Sequence, residues 1–279
     1  MDEGFTTTGP ATPDDVLRRE STQEETVTAN RGWWDREADD YLAEHGSFLG
    51  DADLVWGPEG WTEEDLHVLG PVESLADLTI LEFGGGGAQG ARWCAAHGAR
   101  VVSTDLSAGM LFTAATLSAR SPGPAPLLAQ ADATRLPFAD GSFDLVFSAY
   151  GATPFVADSA ALMAELARVL RPGGRLAFST SHPIRWAFPD VPGPEGLTAS
   201  GSYFDETPYV ESTDGRATYV EHHRTTGHRI AEIVDAGLVL EALLEPEWPP
   251  DNTEAWGGWS PLRGAHLPGT AIFVARRPG

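Results

Sequence analysis

The chain has 279 residues, 42% of them apolar, and sets 41 acidic against 18 basic side chains for a formal net charge of −23. That balance argues against sequence-independent nucleic-acid binding, which rests on a basic surface, and disfavours an anionic membrane as partner. Every base is an arginine and Cys94 is the lone cysteine, so a P-loop lysine, a Schiff-base lysine, an internal disulfide and a paired-thiol metal site are all excluded.

Residues 1–27 are rich in Thr, Pro, Asp and Glu and read as a disordered or weakly docked acidic tail. Residues 28–279 read as a single domain. Its first part, 28–72, is a helical cap: Trp33, Trp34, Glu37, Ala38 and Tyr41 recur at helical spacing over 28–45, and Thr62 caps a short helix with three acids in its first turn. Strands and helices then alternate. Strands are expected at 78–83, 99–104, 126–130, 143–149 and 175–180, and helices at 90–97, 107–119 and 159–170, the last stopped by Arg171-Pro172-Gly173-Gly174. The pattern fails over 183–223, a Pro-, Gly- and aromatic-rich stretch that reads as a lid or acceptor-binding insertion. A helix at 226–235, a strand at 238–244, a loop at 246–268 and a last strand at 270–275 close the chain. No apolar run approaches the roughly 18 residues of a membrane span and the acidic N-terminus is no signal peptide, so the expected location is cytoplasmic.

Such alternation predicts a parallel sheet with helices on both faces, and ligands in such sheets bind beyond the C-terminal ends of the strands. The first strand ends in Glu82-Phe83-Gly84-Gly85-Gly86-Gly87-Ala88-Gln89-Gly90. Those glycines fit two registers. Gly85-x-Gly87-x-x-Gly90 matches a dinucleotide fingerprint, whereas Glu82-x-Gly84-x-Gly86 suits a different nucleoside. The second strand ends at Asp105, placed to accept ribose hydroxyls, and the third leads to Asp132, placed to accept an adenine amino group. Ser148 and Tyr150 follow the fourth strand and His182 the fifth. A carboxylate just before the glycines and no base nearer than Arg92 disfavour a pyrophosphate and suit a cation.

Four ordered blocks then carry a resemblance: Leu81 to Gly86, Asp105 to Leu111, Asp132 to Asp144, and Arg168 to Leu176. With them the chain resembles the class I methyltransferases that use S-adenosylmethionine (SAM), in the small-molecule, type 11-like group. The resemblance implies an α/β fold: a Rossmann-like, seven-stranded, mostly parallel sheet with helices on both faces and an antiparallel C-terminal hairpin. It implies SAM as cofactor, with Gly84 and Gly86 under the methionyl part and Glu82 supporting the loop or the amino group. Asp105 would hold the ribose, Asp132 and the Ala133 N–H would read the adenine, and Leu106 would pack on its ring. Ser148 completes the cofactor set, and Trp34 and Tyr41 belong to the helix that caps it. One departure stands out: the family often has a third glycine where this chain has Ala88.

Methyl transfer from a sulfonium needs alignment and desolvation, and a base only where the acceptor keeps its proton. His182 is the first candidate base, with His222, His223 and Tyr203 as candidates in the insertion; the plain alternative for each is a structural histidine or tyrosine. Trp186, Phe188, Trp248, Trp256 and Trp259 are candidates to wall an apolar acceptor pocket. No histidine spacing suggests a metal. The expected reaction is methyl transfer to an O, S or N nucleophile of a small, fairly apolar molecule, with no nucleic-acid or membrane partner. A non-catalytic SAM-binding sensor or partner subunit, and an NAD(P)-dependent oxidoreductase, are the alternatives.

Overall fold

A computed structural model describes residues 13–279. Its elements run β1 (Asp15–Arg18), α1 (Gln23–Leu49), α2 (Glu63–Leu66), β2 (Thr79–Phe83), α3 (Gln89–Ala96), β3 (Arg100–Asp105), α4 (Ala108–Arg120), β4 (Leu127–Gln130) and β5 (Phe143–Ser148). There follow α5 (Ser159–Val169), β6 (Leu170–Ser181), β7 (Tyr209–Thr213), β8 (Arg216–Glu221), α6 (Thr226–Asp235), β9 (Val239–Leu244), α7 (Pro261–Gly264) and β10 (Thr270–Arg276).

The central strands are apolar along their length because both faces are covered. Ile80, Leu81 and Phe83 in β2 and Ala271 to Phe273 in β10 have no exposed surface. One side of the sheet packs Leu81, Val146 and Phe178 against Leu162 and Leu166 of α5. The other packs Ile80, Leu145 and Phe147 against Ala91, Trp93 and Cys94 of α3, so the lone cysteine is a core residue. The seven strands lie in the order β4-β3-β2-β5-β6-β10-β9. All neighbours are parallel except β10, which runs antiparallel to both β6 and β9. This is the expected sheet with its C-terminal antiparallel hairpin. The chain leaves β2 toward β3 and β4 and then crosses to β5 and β6 on the other side, so a crevice opens between the C-terminal ends of β2 and β5.

Two expectations change here. The first twelve residues of the tail lie outside the described residues, but 13–27 include β1 and the start of α1. β1 pairs antiparallel with β7, from Asp15 opposite Ser212 to Arg18 opposite Tyr209. The cap helix begins at Gln23 rather than near residue 28, with the Thr22 side chain accepting the Glu25 N–H. All four β1 side chains are exposed, so backbone pairing orders this strand, and composition carries no trace of that. The 183–223 stretch, in turn, contains the β7–β8 hairpin, which forms a second sheet with β1 in the order β1-β7-β8. The hairpin turns on Asp214 and Gly215, both at positive φ of 51° and 71°, which is the geometry an Asp-Gly pair favours. The inner face of the hairpin, Val210 and Val220, packs on Ala29 of α1.

Candidate functional site

At the end of β2 the chain turns through Gly84, Gly86 and Ala88, all at positive φ, of 57°, 53° and 56°. This lifts the loop over the strand end and starts α3 at Gln89. Gly84 has no room for a side chain: a Cβ there would overlap that of Ala152 and stand 3.2 Å from its Cα. Ala88 holds the left-handed conformation without being glycine, with its methyl fully buried in the core.

Asp105 at the end of β3 pins this loop. One carboxylate oxygen accepts the Gly86 N–H at 2.8 Å and the other accepts the Ser107 N–H at 2.8 Å. Burial raises its pKa, and the Ser107 and Gly86 N–H groups oppose the shift. Each oxygen keeps a second lone pair for a ligand.

Glu82 lies beneath the glycines and is 3% exposed. Its carboxylate accepts the Ser103 hydroxyl at 2.5 Å. Burial pushes its pKa up to about 7, against the Ser103 hydrogen bond and the Arg92 charge. Gly90 is a glycine because of this packing: a Cβ there would meet Glu82 Oε1 at 2.8 Å and Phe147 Cε2 at 3.0 Å. The dinucleotide register through Gly90 thus has a packing cause.

A second buried carboxyl, Glu63, receives the Leu69 N–H at 2.7 Å, the Trp56 indole N–H at 2.9 Å and the Val68 N–H at 3.1 Å. Burial outweighs these bonds and pushes its pKa to about 7. Both Glu63 and Glu82 are therefore raised above their unfolded values, so between those values and about 7 the folded protein holds protons that the unfolded chain has released. These two carboxyls should therefore lower stability as pH rises from about 5 to about 7.5, while buried His222, its pKa lowered to about 4, works in the opposite sense below about 6.5. The Glu63 share is read as the difference from Glu63→Gln: the wild-type thermal midpoint should lose ground to that of the variant across the range. A wild type that gains on Glu63→Gln toward pH 7.5 would contradict the raised value.

Asp132 completes the acidic set. One oxygen accepts the Thr134 N–H at 2.9 Å and the Thr134 hydroxyl at 2.8 Å, and the other receives the Gln23 amide at 3.4 Å. Helix α1 crosses above. It is tied to the start of α4 by Asp35, which accepts the Ser107 hydroxyl at 2.7 Å and the Gly109 N–H at 3.0 Å.

These residues line one cleft. Glu82, Gly84, Gly86, Asp105, Leu106, Asp132, Ala133, Trp34 and Tyr41 all face it. Ser148 does not: it is fully buried, its hydroxyl has no hydrogen-bond partner, and Ala149 and Tyr150 reach the cleft instead.

The four candidate catalytic residues also lie outside the cleft lining. His182 is a cap: its Nδ1 accepts the Ile184 N–H at 3.1 Å, and its Nε2 lies 2.7 Å from Glu245. His222 is buried against the Thr26 hydroxyl at 3.0 Å, and burial lowers its pKa to about 4. His223 is 1% exposed, and its Nε2 lies 2.7 Å from the Tyr203 carbonyl. The Tyr203 hydroxyl accepts the Thr226 N–H at 2.8 Å at the start of α6. All four make the structural contacts of the plainer alternative.

No residue of the 183–223 insertion lines the cleft, and of the five aromatics expected to wall it only Trp256 does. Trp256 stacks on His45 at 4.0 Å and meets Phe48 edge-on at 5.1 Å. The aromatic wall comes from α1 instead, where Trp34 contacts Tyr41 and Phe155, each at 5.5 Å. Sequence reasoning placed Tyr150 at a strand end but gave it no role, and it missed Gln23, Asp53, Met110 and Phe155 as cleft residues; these come from elements whose approach to the cleft is set by tertiary packing.

The cleft lining contains four carboxylates, Asp53, Glu82, Asp105 and Asp132, and among the described residues no arginine. A pyrophosphate would find no counter-charge there, whereas an adenosine carrying a sulfonium and an ammonium fits this donor set.

The comparisons agree. Residues 81–178 match the methyltransferase domain family. A demethylmenaquinone methyltransferase of Mycolicibacterium gilvum is 45% identical over 222 residues, 78% of this chain and 82% of that protein. The chain belongs to the class I SAM-dependent methyltransferases. A SAM-dependent methyltransferase of Mesorhizobium loti, known from a crystal structure, is 30% identical; the match has a TM-score of 0.59 and covers 76% of this chain and 95% of that one. The alignment with a demethylmenaquinone methyltransferase of Parafrankia sp., 40% identical, spans about half of that relative, 51% of its length. SAM is the cofactor of this methyltransferase family, and the cleft is the place whose chemistry suits it. No helix among the described residues is long and apolar enough to cross a membrane.

Proposed function

We propose that this methyltransferase carries the SAM methyl group to an O, S or N nucleophile of a small, fairly apolar molecule bound against the aromatic wall of the cleft. The observation that carries the reading is a cleft lined by acids without arginine, closed at one end by Asp105 under a glycine turn. When bound, SAM supplies an electrophilic methyl on a leaving group that departs as a neutral thioether. The protein aligns and dries the site. Asp105 would accept the ribose hydroxyls, Asp132 with the Ala133 N–H would hold the adenine, Leu106 and Met110 would flank its ring, and Glu82 would stiffen the loop. Trp34, Tyr41, Phe155 and Trp256 would exclude water from the transferred methyl. The relatives named demethylmenaquinone methyltransferases support a quinone-type ring among the acceptors to be tried.

Among the described residues no histidine lines the cleft, and the lining carboxylate without a proposed cofactor role is Asp53, whose pKa is raised by burial and by the charges of Glu64 and Asp51; we assign it proton removal from acceptors that keep their proton. Asp53→Asn should lower kcat about 10²-fold on phenols, the usual reach of a general base. It should barely change turnover of thiols, which ionise unaided near pH 8.5. Equal losses on both would remove Asp53 from proton transfer.

The reading is tested by mass-spectrometric detection of S-adenosylhomocysteine across phenols, hydroquinones, thiols, amines and carboxylates, alongside calorimetry with SAM and NAD. Binding of NAD but not SAM would overturn it. Tight SAM binding with no turnover on any class would favour the non-catalytic sensor.

A further inference from the structure

The insertion that leaves the cleft alone encloses a chamber of its own. Its floor is the outer face of the β7–β8 hairpin, where Tyr209 lies opposite Glu221 and Glu211 opposite Tyr219, an alternating pattern of two phenols and two carboxylates. Trp186 and Phe188, from the turn after β6, and Trp33, from α1, form the other walls of a cavity of about 410 Å³. The opposite face of the hairpin is dry core, with Val210 and Val220 fully buried. Trp33 and Trp34 meet edge-on at 4.6 Å yet face different spaces: Trp34 the cofactor cleft and Trp33 this chamber.

Asp190, Glu211 and Glu221 line the chamber with Arg18 and Arg185. Just behind the lining, Arg263 stands 3.9 Å from Asp190 and Asp205 stands 3.9 Å from Arg18, so acids still outnumber guanidiniums by one. Both lining guanidiniums are already engaged. Arg185 contacts Asp190 at 3.0 Å and Glu221 at 3.4 Å and lies 4.8 Å over the Trp186 ring. Arg18 donates to the Thr207 carbonyl at 3.2 Å and lies 5.2 Å from the same ring. The carboxylates are less well served: Glu221 has only the two 3.4 Å contacts with Arg185, and Glu211 only the Tyr209 hydroxyl at 2.8 Å. An anion entering here would find its arginines occupied. With Trp186 already covered by the two guanidiniums, a cation would find under-matched carboxylates beside the rings of Trp33, Phe188, Tyr209 and Tyr219, the combination that recognises organic ammonium groups.

We propose that the chamber between the β7–β8 hairpin and Trp33 is a binding site for an organic cation, an amine or quaternary ammonium with apolar substituents. The site is separate from the cofactor cleft, and the proposal stands whether or not the chain transfers methyl groups.

Three molecules of nearly one shape and different charge test it: choline, 3,3-dimethylbutan-1-ol and 3,3-dimethylbutanoate. Each is titrated calorimetrically into the full chain at about 0.15 M salt, where surface charge is largely screened. S-adenosylhomocysteine is kept saturating so that the cofactor cleft is filled. Choline should bind at least tenfold more tightly than the alcohol, and the carboxylate should bind weakest. Glu221→Gln and Glu211→Gln should each weaken choline binding at least tenfold and leave S-adenosylhomocysteine affinity unchanged, while Glu254→Gln on an exposed loop should change neither. If Glu221→Gln fails to fold because Arg185 loses a partner, Glu211→Gln decides. Equal binding of choline and the alcohol, tighter binding of the carboxylate, or no effect of the glutamine variants would overturn the proposal.

Discussion

Replacing Asp105 with alanine should weaken SAM binding at least tenfold, and about a hundredfold where both ribose hydroxyls are held. A hydrogen bond to a charged acceptor contributes about 1.5–3 kcal/mol, and 1.4 kcal/mol is a factor of ten in affinity. The loss compounds because Asp105 also holds the loop: the Gly86 and Ser107 N–H groups would both lose their acceptor. Asp105→Asn separates the two roles, since the amide keeps one oxygen for the loop and surrenders the charge. Calorimetry on variants whose circular dichroism matches the wild type measures the effect. An unchanged SAM affinity in Asp105→Ala would take this residue out of the cofactor site.

Gly84→Ala should destabilise the fold by about 3 kcal/mol and abolish measurable SAM binding. Two costs add. A residue with a Cβ in the left-handed region loses about 1–2 kcal/mol, and Gly84 stands at φ 57°. Overpacking costs about 1–3 kcal/mol more, because the new Cβ would overlap that of Ala152, part of the core cluster under the loop. The thermal midpoint should drop by roughly 10 °C. Ala152→Gly in the same chain removes the overlapping methyl but leaves the backbone cost, so the double variant should recover part of the loss, with a coupling of about 1 kcal/mol or more. Strict additivity of the two substitutions would show that the steric account is wrong.

The glycine-and-acid end of the cleft was legible because its determinants are local. Glu82, Gly84 and Gly86 occupy one turn, and Asp105 and Asp132 each lie at or just past a strand end that apolar runs and turn residues mark. Parallel strands bring those ends to one edge wherever the crossovers obey their usual hand. Ser148 was misplaced by a short step: Ala149 and Tyr150 reach the cleft while Ser148 stays inside the sheet. The aromatic end was not legible. An aromatic-rich stretch after the fifth parallel strand looked like its wall, but the wall is built from α1 with Phe155 and Trp256.

The sequence alone thus determined the Rossmann-like sheet, the glycine turn, the acids that suit a sulfonium nucleoside, and the absence of lysine chemistry. The tertiary structure decided what the histidines do, where the first described strand pairs, and that the insertion encloses a chamber apart from the cleft. The physical reason is separation along the chain. His222 meets Thr26 across 196 positions, His182 meets Glu245 across 63, and Asn30 holds the Val220 backbone across 190. A hydrophobic period reports which face of an element is buried, whereas the partner of a single polar side chain is set by how distant elements pack against one another.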